Sequence, residues 1–398
     1  MVKLLIFIFV IILIGILYFL KKNKLENPLI TLFLGTWICS FLVLFFWNEE
    51  GIAFVTFEGL LLIQGHIFSL IIGYLVFIFN INKRVVVIKP LFTFSIKVFF
   101  YFSLICSFVG LVLLFKKTDV ISALIAEEVA KMRGDFLSKE KEVGLITVIL
   151  TNFMYPLAAI TPLYTIRRGK YFLLILVSLL FVMYSLANGG KGNAVILFVI
   201  LLGAILLNYH KKIIIINKSV KYILTINLIL ILGFIQFINF TRSPDENKSD
   251  SQIFVEVFVP YFSGSIPAFS QLIKQKGWHL FSFNLSDHVI VREVSGIFGS
   301  KPPRLIDTNI VYIPEGFNVF SSIADSLLSI GLVLSLIYYF FIGVAFAYAN
   351  EKYNNYGKSF LFSILFLFAF YSFYVDIFFF MVGSWYCLLA YLFVRIKL

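Results

Sequence analysis

Apolar runs long enough to cross a bilayer alternate with short polar stretches along most of the chain. A transmembrane helix needs about 20 consecutive, predominantly apolar residues. The pattern predicts an all-α polytopic membrane protein with about 11 transmembrane helices, in a single integral membrane domain over residues 1–398. The first run has no small-residue cleavage site before Lys21, so we interpret it as a retained anchor. The predicted spans are residues 4–20, 29–47, 59–79, 97–115, 144–163, 171–187, 194–209, 220–238, 326–349, 359–375 and 377–394. Only a hinge at 374–376 separates the last two, and a re-entrant pair is the alternative for them.

Composition leads to the same class of protein. Hydrophobic residues make up 61% of the chain and charged residues 14%, whereas soluble domains have about 45–50% and about 25%. A soluble fold of this size has too little polar surface to cover so much apolar surface. The composition therefore excludes a soluble enzyme, a disordered protein and a disulfide-rich secreted module.

Positive charge differs strongly between alternate connecting segments. Segments on one side of the predicted membrane carry 18 Lys and Arg residues, but the short segments of the other side carry only Lys3 and Lys191. The rule that cytoplasmic loops are rich in Lys and Arg assigns the first side to the cytoplasm. The amino terminus is then outside, the carboxyl terminus is cytoplasmic, and two long loops (116–143 and 239–325) are external. The net charge of +12 reflects this orientation, and we expect no nucleic-acid partner.

The smaller external loop, residues 116–143, has apolar residues at helical spacing opposite charged ones. This pattern predicts an amphipathic helix on the membrane surface. Arg133 lies near its end, where a guanidinium group suits a phosphate or pyrophosphate. A solvated interfacial helix without a ligand explains the pattern as well.

The larger loop, residues 239–325, is far longer than a connection requires. It contains an apolar segment at 254–272 that we expect to be a short helix. Loops of this kind commonly carry function, although mixed charges are also typical of a solvated surface. Its candidate anion-binding residues are Arg242, Arg292 and Arg304, and its candidate acids and bases are Asp287, His288, Glu293 and Asp325.

Two shorter features can each be interpreted either as an ordinary turn or as a functional site. Lys191 lies in a glycine-rich connection whose backbone N–H groups can approach an anion. Glu49 and Glu50 form a carboxylate pair at the outer end of the second span.

His66 lies within an apolar run and is interpreted as a hydrogen-bonded core residue. No spacing of His, Cys or acidic residues is typical of a metal site, so we expect no metal.

Several segments together resemble the bacterial O-antigen and capsule repeat-unit polymerases of the Wzy type. They are residues 185–193 (SLANGGKGN), 260–267 (PYFSGSIP) and 318–325 (NVFSSIAD), with Gly331 and 343–345 in the span that follows. Arg133 and Gly144 have the spacing of an Arg-to-Gly pattern in some members. Two departures are that Lys191 stands where an Arg is common, and that neither Arg292 nor Arg304 has a Gly at the same spacing.

The resemblance implies a glycosyltransferase of the bacterial inner membrane that acts on polyprenyl-pyrophosphate-linked oligosaccharides in the outer leaflet. It implies a flippase and a chain-length regulator as possible partners, besides the lipid bilayer, and no cofactor. We expect a base or acid among Asp287, His288, Glu293 and Asp325. We expect the pyrophosphate to be bound by residues among Arg133, Lys191, Arg242, Arg292 and Arg304.

Three alternatives share the topology. A membrane glycosyltransferase with a lipid-monophosphate donor would use Glu49 and Glu50 as its acidic pair. An O-antigen ligase would differ only in its acceptor. A transporter or flippase of the lipid-linked unit would place ionisable groups near the bilayer midplane, where the predicted spans have almost none.

Overall fold

The protein is built almost entirely from helices, as the apolar pattern predicts. The computed structural model describes residues 2–46, 53–80, 90–118, 144–187, 192–242, 264–277, 288–297, 311–312, 316–317, 321–349 and 357–397. The helices are α1 (Val2–Lys22), α2 (Pro28–Phe46), α3 (Phe57–Asn80), α4 (Ile96–Thr118), α5 (Leu145–Asn152), α6 (Met154–Thr165), α7 (Tyr171–Ala187), α8 (Gly192–His210), α9 (Lys218–Arg242), α10 (Ser265–Lys276), α11 (Val289–Ile297), α12 (Ser322–Ala349), α13 (Lys358–Tyr371), α14 (Ile377–Phe380) and α15 (Val382–Phe393). The strands are β1 (Phe92–Ser95), β2 (Val311–Tyr312), β3 (Gly316–Phe317) and β4 (Val394–Lys397).

Seven of the described helical segments are long and apolar enough to cross a membrane. A helix satisfies its own backbone hydrogen bonds, which is why an apolar run in lipid folds this way. The class of all-α membrane protein is thereby confirmed, whereas the count of eleven spans stays a prediction. The seven are Val2–Lys22, Pro28–Phe46, Phe57–Phe79, Ile96–Lys116, Leu145–Thr165, Gly192–His210 and Ser322–Ala349.

The chain divides into two compact units. The first contains Met1–Val86, Lys248–Glu351 and Phe368–Val382. Its main contact is between α3 and α12, which approach so closely that a Cβ atom at Gly73 would overlap the carbonyl oxygen of Phe340. Gly343 makes the reciprocal approach to the carbonyl oxygen of Leu70. Small residues at helix contacts in membranes permit such close backbone packing.

Helix α12 is not regular throughout. Gly331 has φ 75° and ψ 176°, which divides the helix into a short first segment and a long second one. Ser321, immediately before the helix, has φ 82°, a left-handed conformation that is uncommon for a residue with a side chain. The helix begins at Ser322, before the predicted start at 326, so Asp325 lies in its first turn.

The second unit contains Val87–Asn247, Lys352–Leu367 and Gly383–Leu398. Helix α6 packs against α8, and α4 packs against both α5 and α6. Strands β1 and β4 form a parallel pair that joins Phe92 to Val394 and Ser95 to Lys397. This small sheet is an addition to the all-α fold class that the apolar pattern did not predict.

The predicted loops and the last predicted span differ from the structure in detail. Residues 119–143, where we predicted the amphipathic helix, lie outside the described residues. In the larger loop the structure describes α10, α11 and the antiparallel pair of β2 and β3; of the predicted helical segment 254–272, it describes the part from 264 on. The run 377–394 is divided, because Met381 is extended (φ −121°, ψ 116°) between α14 and α15.

Candidate functional site: a buried carboxyl pair at the start of helix α12

Asp325, one of the predicted acid–base residues, is almost enclosed in the first unit. Only 6% of its surface is exposed. Its backbone N–H donates to the carbonyl oxygen of Ser321 at 3.3 Å, so the first helical hydrogen bond of this turn ends on the left-handed Ser321. Backbone strain of that kind costs about 1–3 kcal/mol and clusters at functional sites.

Asp376 lies against Asp325 and is the N-cap of α14. Its backbone N–H donates to Oδ2 of Asp325 at 2.7 Å. Its own Oδ1 accepts two hydrogen bonds, from the backbone N–H of Phe378 at 2.9 Å and from the hydroxyl of Tyr338 at 3.1 Å. The residue has no exposed surface, and among the described residues its Oδ2 has no hydrogen-bond partner. A buried carboxyl oxygen without a partner is costly, which marks this position as unusual.

A network of buried hydroxyl groups adjoins the carboxyl pair. The hydroxyl of Ser322 donates to the carbonyl oxygen of Ser372 and is hydrogen bonded to the hydroxyl of Tyr339. The ring of Tyr339 meets the ring of His66 edge-on, with 5.2 Å between centroids. His66 Nε2 is 2.8 Å from Oγ of Ser335, so α3 and α12 share polar contacts as well as close backbone packing.

His66 itself is a hydrogen-bonded core residue, as its apolar run predicted. It has no exposed surface. Besides the contact with Ser335, its Nδ1 lies 2.7 Å from the carbonyl oxygen of Leu62 one turn earlier in α3. A neutral ring with its proton on Nδ1 donates to Leu62, and its Nε2 accepts from the Ser335 hydroxyl when that group turns from the carbonyl oxygen of Leu332, 2.9 Å away.

His288, a second predicted acid–base residue, is linked to the carboxyl pair by aromatic contacts. Its ring meets the ring of Phe379 in α14 at 5.0 Å, and Phe379 meets Tyr338 at 5.3 Å. Its Nδ1 accepts the backbone N–H of Ile290 at 3.2 Å at the start of α11. Burial lowers the pKa of His288 below its usual value, because desolvation disfavours the imidazolium form.

The other predicted residues are not brought to this place by the described structure. Arg292 is half-buried in α11, where its backbone N–H donates to the carbonyl oxygen of His288 at 3.0 Å. Arg242 and Glu293 lie in α9 and α11, but their side chains are not among those described. Arg133, Lys191, Arg304 and Asp287 lie outside the described residues, as do Glu49 and Glu50. The pyrophosphate-binding set therefore stays a prediction.

Asp376 and Tyr338 were not predicted as site residues. The sequence did contain a signal, because Asp376 is the one acidic residue after Glu351 and stands in a run of aromatic residues. Ionisable residues within apolar membrane segments are costly and are typically functional. A hinge at 374–376 explains why the helical run is interrupted there, but it does not explain why a carboxyl group stands at this position.

The arrangement can hold one carboxyl group in a fixed orientation at the edge of the buried region. The backbone N–H of Asp376 orients the Asp325 carboxylate, and an oriented carboxylate can take a proton from a hydroxyl that comes within hydrogen-bond reach. Within the described parts of the chain, no group of three or more His, Cys, Asp or Glu side chains is placed to hold a metal ion.

No protein-family model, curated protein or solved structure matches the chain. The geometry of the site and the resemblance in short segments are therefore the observations on which a functional proposal rests.

Proposed function

We propose that the protein polymerises polyprenyl-pyrophosphate-linked oligosaccharide repeat units at the outer leaflet of the bacterial inner membrane. The growing glycan is transferred from its lipid carrier to a sugar hydroxyl of a new lipid-linked unit. The glycan belongs to the O-antigen or capsule type, and a flippase and a chain-length regulator work with the enzyme. The chain crosses the membrane several times, with its amino terminus outside and its carboxyl terminus in the cytoplasm.

The observation that carries the proposal is the position of Asp325. This residue ends the segment 318–325, one of those that resemble the polymerases. It stands in the first turn of an apolar helix, with 6% of its surface exposed and Oδ2 oriented by the N–H of Asp376. This placement, at the end of a membrane helix and largely shielded from bulk water, suits a base that acts on a lipid-linked sugar.

The reaction requires few protein groups. The acceptor hydroxyl attacks the anomeric carbon of the donor, and the bond from that carbon to the pyrophosphate oxygen breaks. The hydroxyl proton passes to the carboxylate of Asp325, and polyprenyl pyrophosphate leaves with the electron pair. Pyrophosphate is a good leaving group, so general-base assistance and charge stabilisation are the main demands on the protein.

Cationic side chains would stabilise the charge on the departing pyrophosphate. Arginine is well suited because its planar guanidinium binds phosphate oxygens through two parallel hydrogen bonds. Arg292 is proposed for this role because it lies in α11, which begins just after His288 and packs on α14. Arg133 and Lys191 are proposed on the resemblance, and Arg242 and Arg304 on their predicted external position alone.

Deletion of the gene tests the proposal. We expect surface polysaccharide to change from long polymer to a single repeat unit, and a plasmid copy of the wild-type chain to restore the ladder of long chains on a gel. A copy carrying Asp325→Asn, present at the same level in the membrane, should leave the single repeat. Long polymer in the deletion strain would refute the proposed function.

Transport of the lipid-linked unit is the second candidate, favoured by two observations. His66, Asp325 and Asp376 are all buried ionisable residues, and the helical run after Tyr371 is broken on both sides of α14. Transporters commonly bind substrate or ions at such broken helices. Purified protein in liposomes discriminates the two, because a transporter moves lipid-linked units across the bilayer without forming glycosidic bonds.

Two other glycosyltransferase hypotheses need separate tests. A lipid-monophosphate enzyme that uses Glu49 and Glu50 predicts that Gln at both positions abolishes activity, whereas the polymerase proposal expects little effect. A ligase predicts transfer of the glycan to a lipid acceptor that is not a repeat unit. Analysis of the product formed by the purified protein separates these outcomes.

A further inference from the structure

We propose that Asp376 and Tyr338 are positioning residues for the reaction at Asp325. The inference rests on the proposed function, in which Asp325 is the base. Asp376 is not itself proposed to contact substrate, because none of its surface is exposed, whereas Asp325 retains 6%. Of these two adjacent carboxyl groups, the one on α12 retains some exposed surface, and the other acts through it.

The link between the two residues is a backbone hydrogen bond. The N–H of Asp376 points at Oδ2 of Asp325 over 2.7 Å, so the orientation of the Asp325 carboxylate depends on where the backbone of residue 376 lies. That backbone belongs to the irregular segment between α13 and α14. The N–H of Val375 closes onto the carbonyl oxygen of Tyr371 at 2.9 Å and holds the start of this segment. The side chain of Asp376 adds the contacts that fix residue 376 itself.

Two hydrogen bonds to Oδ1 hold the Asp376 side chain in place. The N–H of Phe378 closes the N-cap of α14 at 2.9 Å, and the Tyr338 hydroxyl reaches across from α12 at 3.1 Å. Tyr338 therefore connects residue 376, which orients Asp325, to α12, the helix that contains Asp325. The result is a closed loop of contacts from Asp325 to Asp376 to Tyr338 and along α12.

The short helix α14 makes the cap important. It contains only four residues, Ile377–Phe380, and a helix of that length does not form without outside support. The cap at Asp376 supports it, and α14 in turn presents Phe379 to the rings of both Tyr338 and His288. Loss of the cap would therefore release Asp325 and the contact with His288 together.

Three variants separate the contributions of these groups. Tyr338→Phe removes one hydroxyl and retains the ring that packs on Phe379. Asp376→Ala removes the cap and the anchor for Tyr338, whereas Asp376→Asn retains an Oδ1 acceptor for both donors and restores the cap, since Asn and Asp are comparable N-cap residues. Ser326→Ala is the matched control, because the Ser326 hydroxyl bonds only the carbonyl oxygen of Ile323 within α12 among the contacts described.

Kinetics with purified protein in liposomes and lipid-linked repeat units test the role in catalysis. We expect Tyr338→Phe to lower kcat about tenfold while KM changes less than twofold, because the base is misoriented while the cap of α14, and with it the contact to His288, is retained. Asp376→Ala also removes the cap, so it should lower kcat at least as much, with no such limit on the change in KM. Asp376→Asn should recover most of the loss. Unchanged kcat in both damaging variants, or an Asn variant as defective as the Ala variant, would overturn the proposal.

Amide hydrogen exchange tests the geometry without any activity. The Asp376 amide should be protected in the wild type and in Ser326→Ala, and it should exchange at least tenfold faster in Tyr338→Phe at an unchanged melting temperature. Equal protection in Tyr338→Phe would overturn the positioning role even if the protein polymerises glycan. Faster exchange in a protein that forms no polymer would instead support the geometry and refute the proposed function.

Discussion

The backbone N–H of Asp376 donates a hydrogen bond to Oδ2 of Asp325 across a sequence separation of 51 residues. This contact joins the first turn of an apolar helix to a break between two others. It brings two carboxyl groups together in a region where the surrounding side chains are mainly aromatic and aliphatic.

Replacement of Asp325 by Asn should lower kcat at least about 100-fold, the usual size of a general-base contribution. The amide oxygen of Asn can still accept the N–H of Asp376, so the fold should be retained, but the amide cannot take a proton. The measurement is polymer formation by purified protein, with the melting temperature as a check on folding. Full activity in Asp325→Asn would eliminate this residue as the base.

Close packing of α3 and α12 should make Gly343→Ala strongly destabilising. The new Cβ would overlap the carbonyl oxygen of Leu70, and overpacking of a rigid contact costs about 1–3 kcal/mol. Thermal unfolding in detergent measures the effect. Gly65→Ala, also in α3, is the control, because its Cβ would meet only Leu336 Cδ2 at 3.9 Å; its melting temperature should be equal or higher, since Ala favours helix over Gly.

The hydrogen bond between His66 and Ser335 should be visible as an energetic coupling. Ser335→Ala leaves the buried Nε2 of His66 without its partner and should cost about 1–3 kcal/mol. Combination with His66→Phe, which removes the unpartnered nitrogen, should cost less than the sum of the two single changes. Strict additivity of the three unfolding free energies would show that the bond contributes nothing.

Acidification should loosen helix α11 through His288. Burial holds the pKa of His288 below its ordinary value of 6.5, so between that lowered pKa and 6.5 the unfolded segment binds more protons than the folded one. Stability of this segment therefore falls as the pH falls through that window. Amide exchange in residues 289–297, corrected for intrinsic rates, should be faster at pH 5.5 than at pH 7.5, and His288→Gln should remove the difference.

Cysteine labelling tests the predicted orientation. In a background with Cys39, Cys106 and Cys387 replaced by Ala, a membrane-impermeant maleimide should label Ser249→Cys, in the larger predicted external loop, in intact spheroplasts. Lys212→Cys, in an exposed turn after α8, should react only after the membrane is permeabilised. The opposite pattern would invert the topology and place the larger loop in the cytoplasm.

Apolar runs predicted the helices well because their physical cause is local. The predicted span 171–187 coincides with α7, and 194–209 lies within one or two residues of α8. A backbone in lipid has to satisfy its hydrogen bonds within the helix, so the length of an apolar run nearly determines the length of the helix. The prediction was wrong where the run 377–394 is broken at Met381, since neither Pro nor Gly marks that position.

Of the candidate site, Asp325 was predicted but Asp376 and Tyr338 were not, because the contacts that join these residues are not local in the sequence. Asp325 stands in a segment whose residue types resemble a known family, so it could be proposed from sequence alone. Its contact with Asp376, and the bond from Tyr338 to Asp376, depend on how separate helices pack. No spacing along the chain encodes such a contact, and a carboxyl group in an aromatic run was the only local sign of it.

The parallel pair of β1 and β4 has a consequence for how the protein is made. Strand β4 is translated about 300 residues after β1, which at about 5–20 residues per second takes about 15–60 s. During that time β1, whose four side chains are all exposed, has no strand to pair with. Completion of this sheet is therefore a late event in biogenesis, and truncation of the chain before Val394 should leave its first strand open to pairing with other chains.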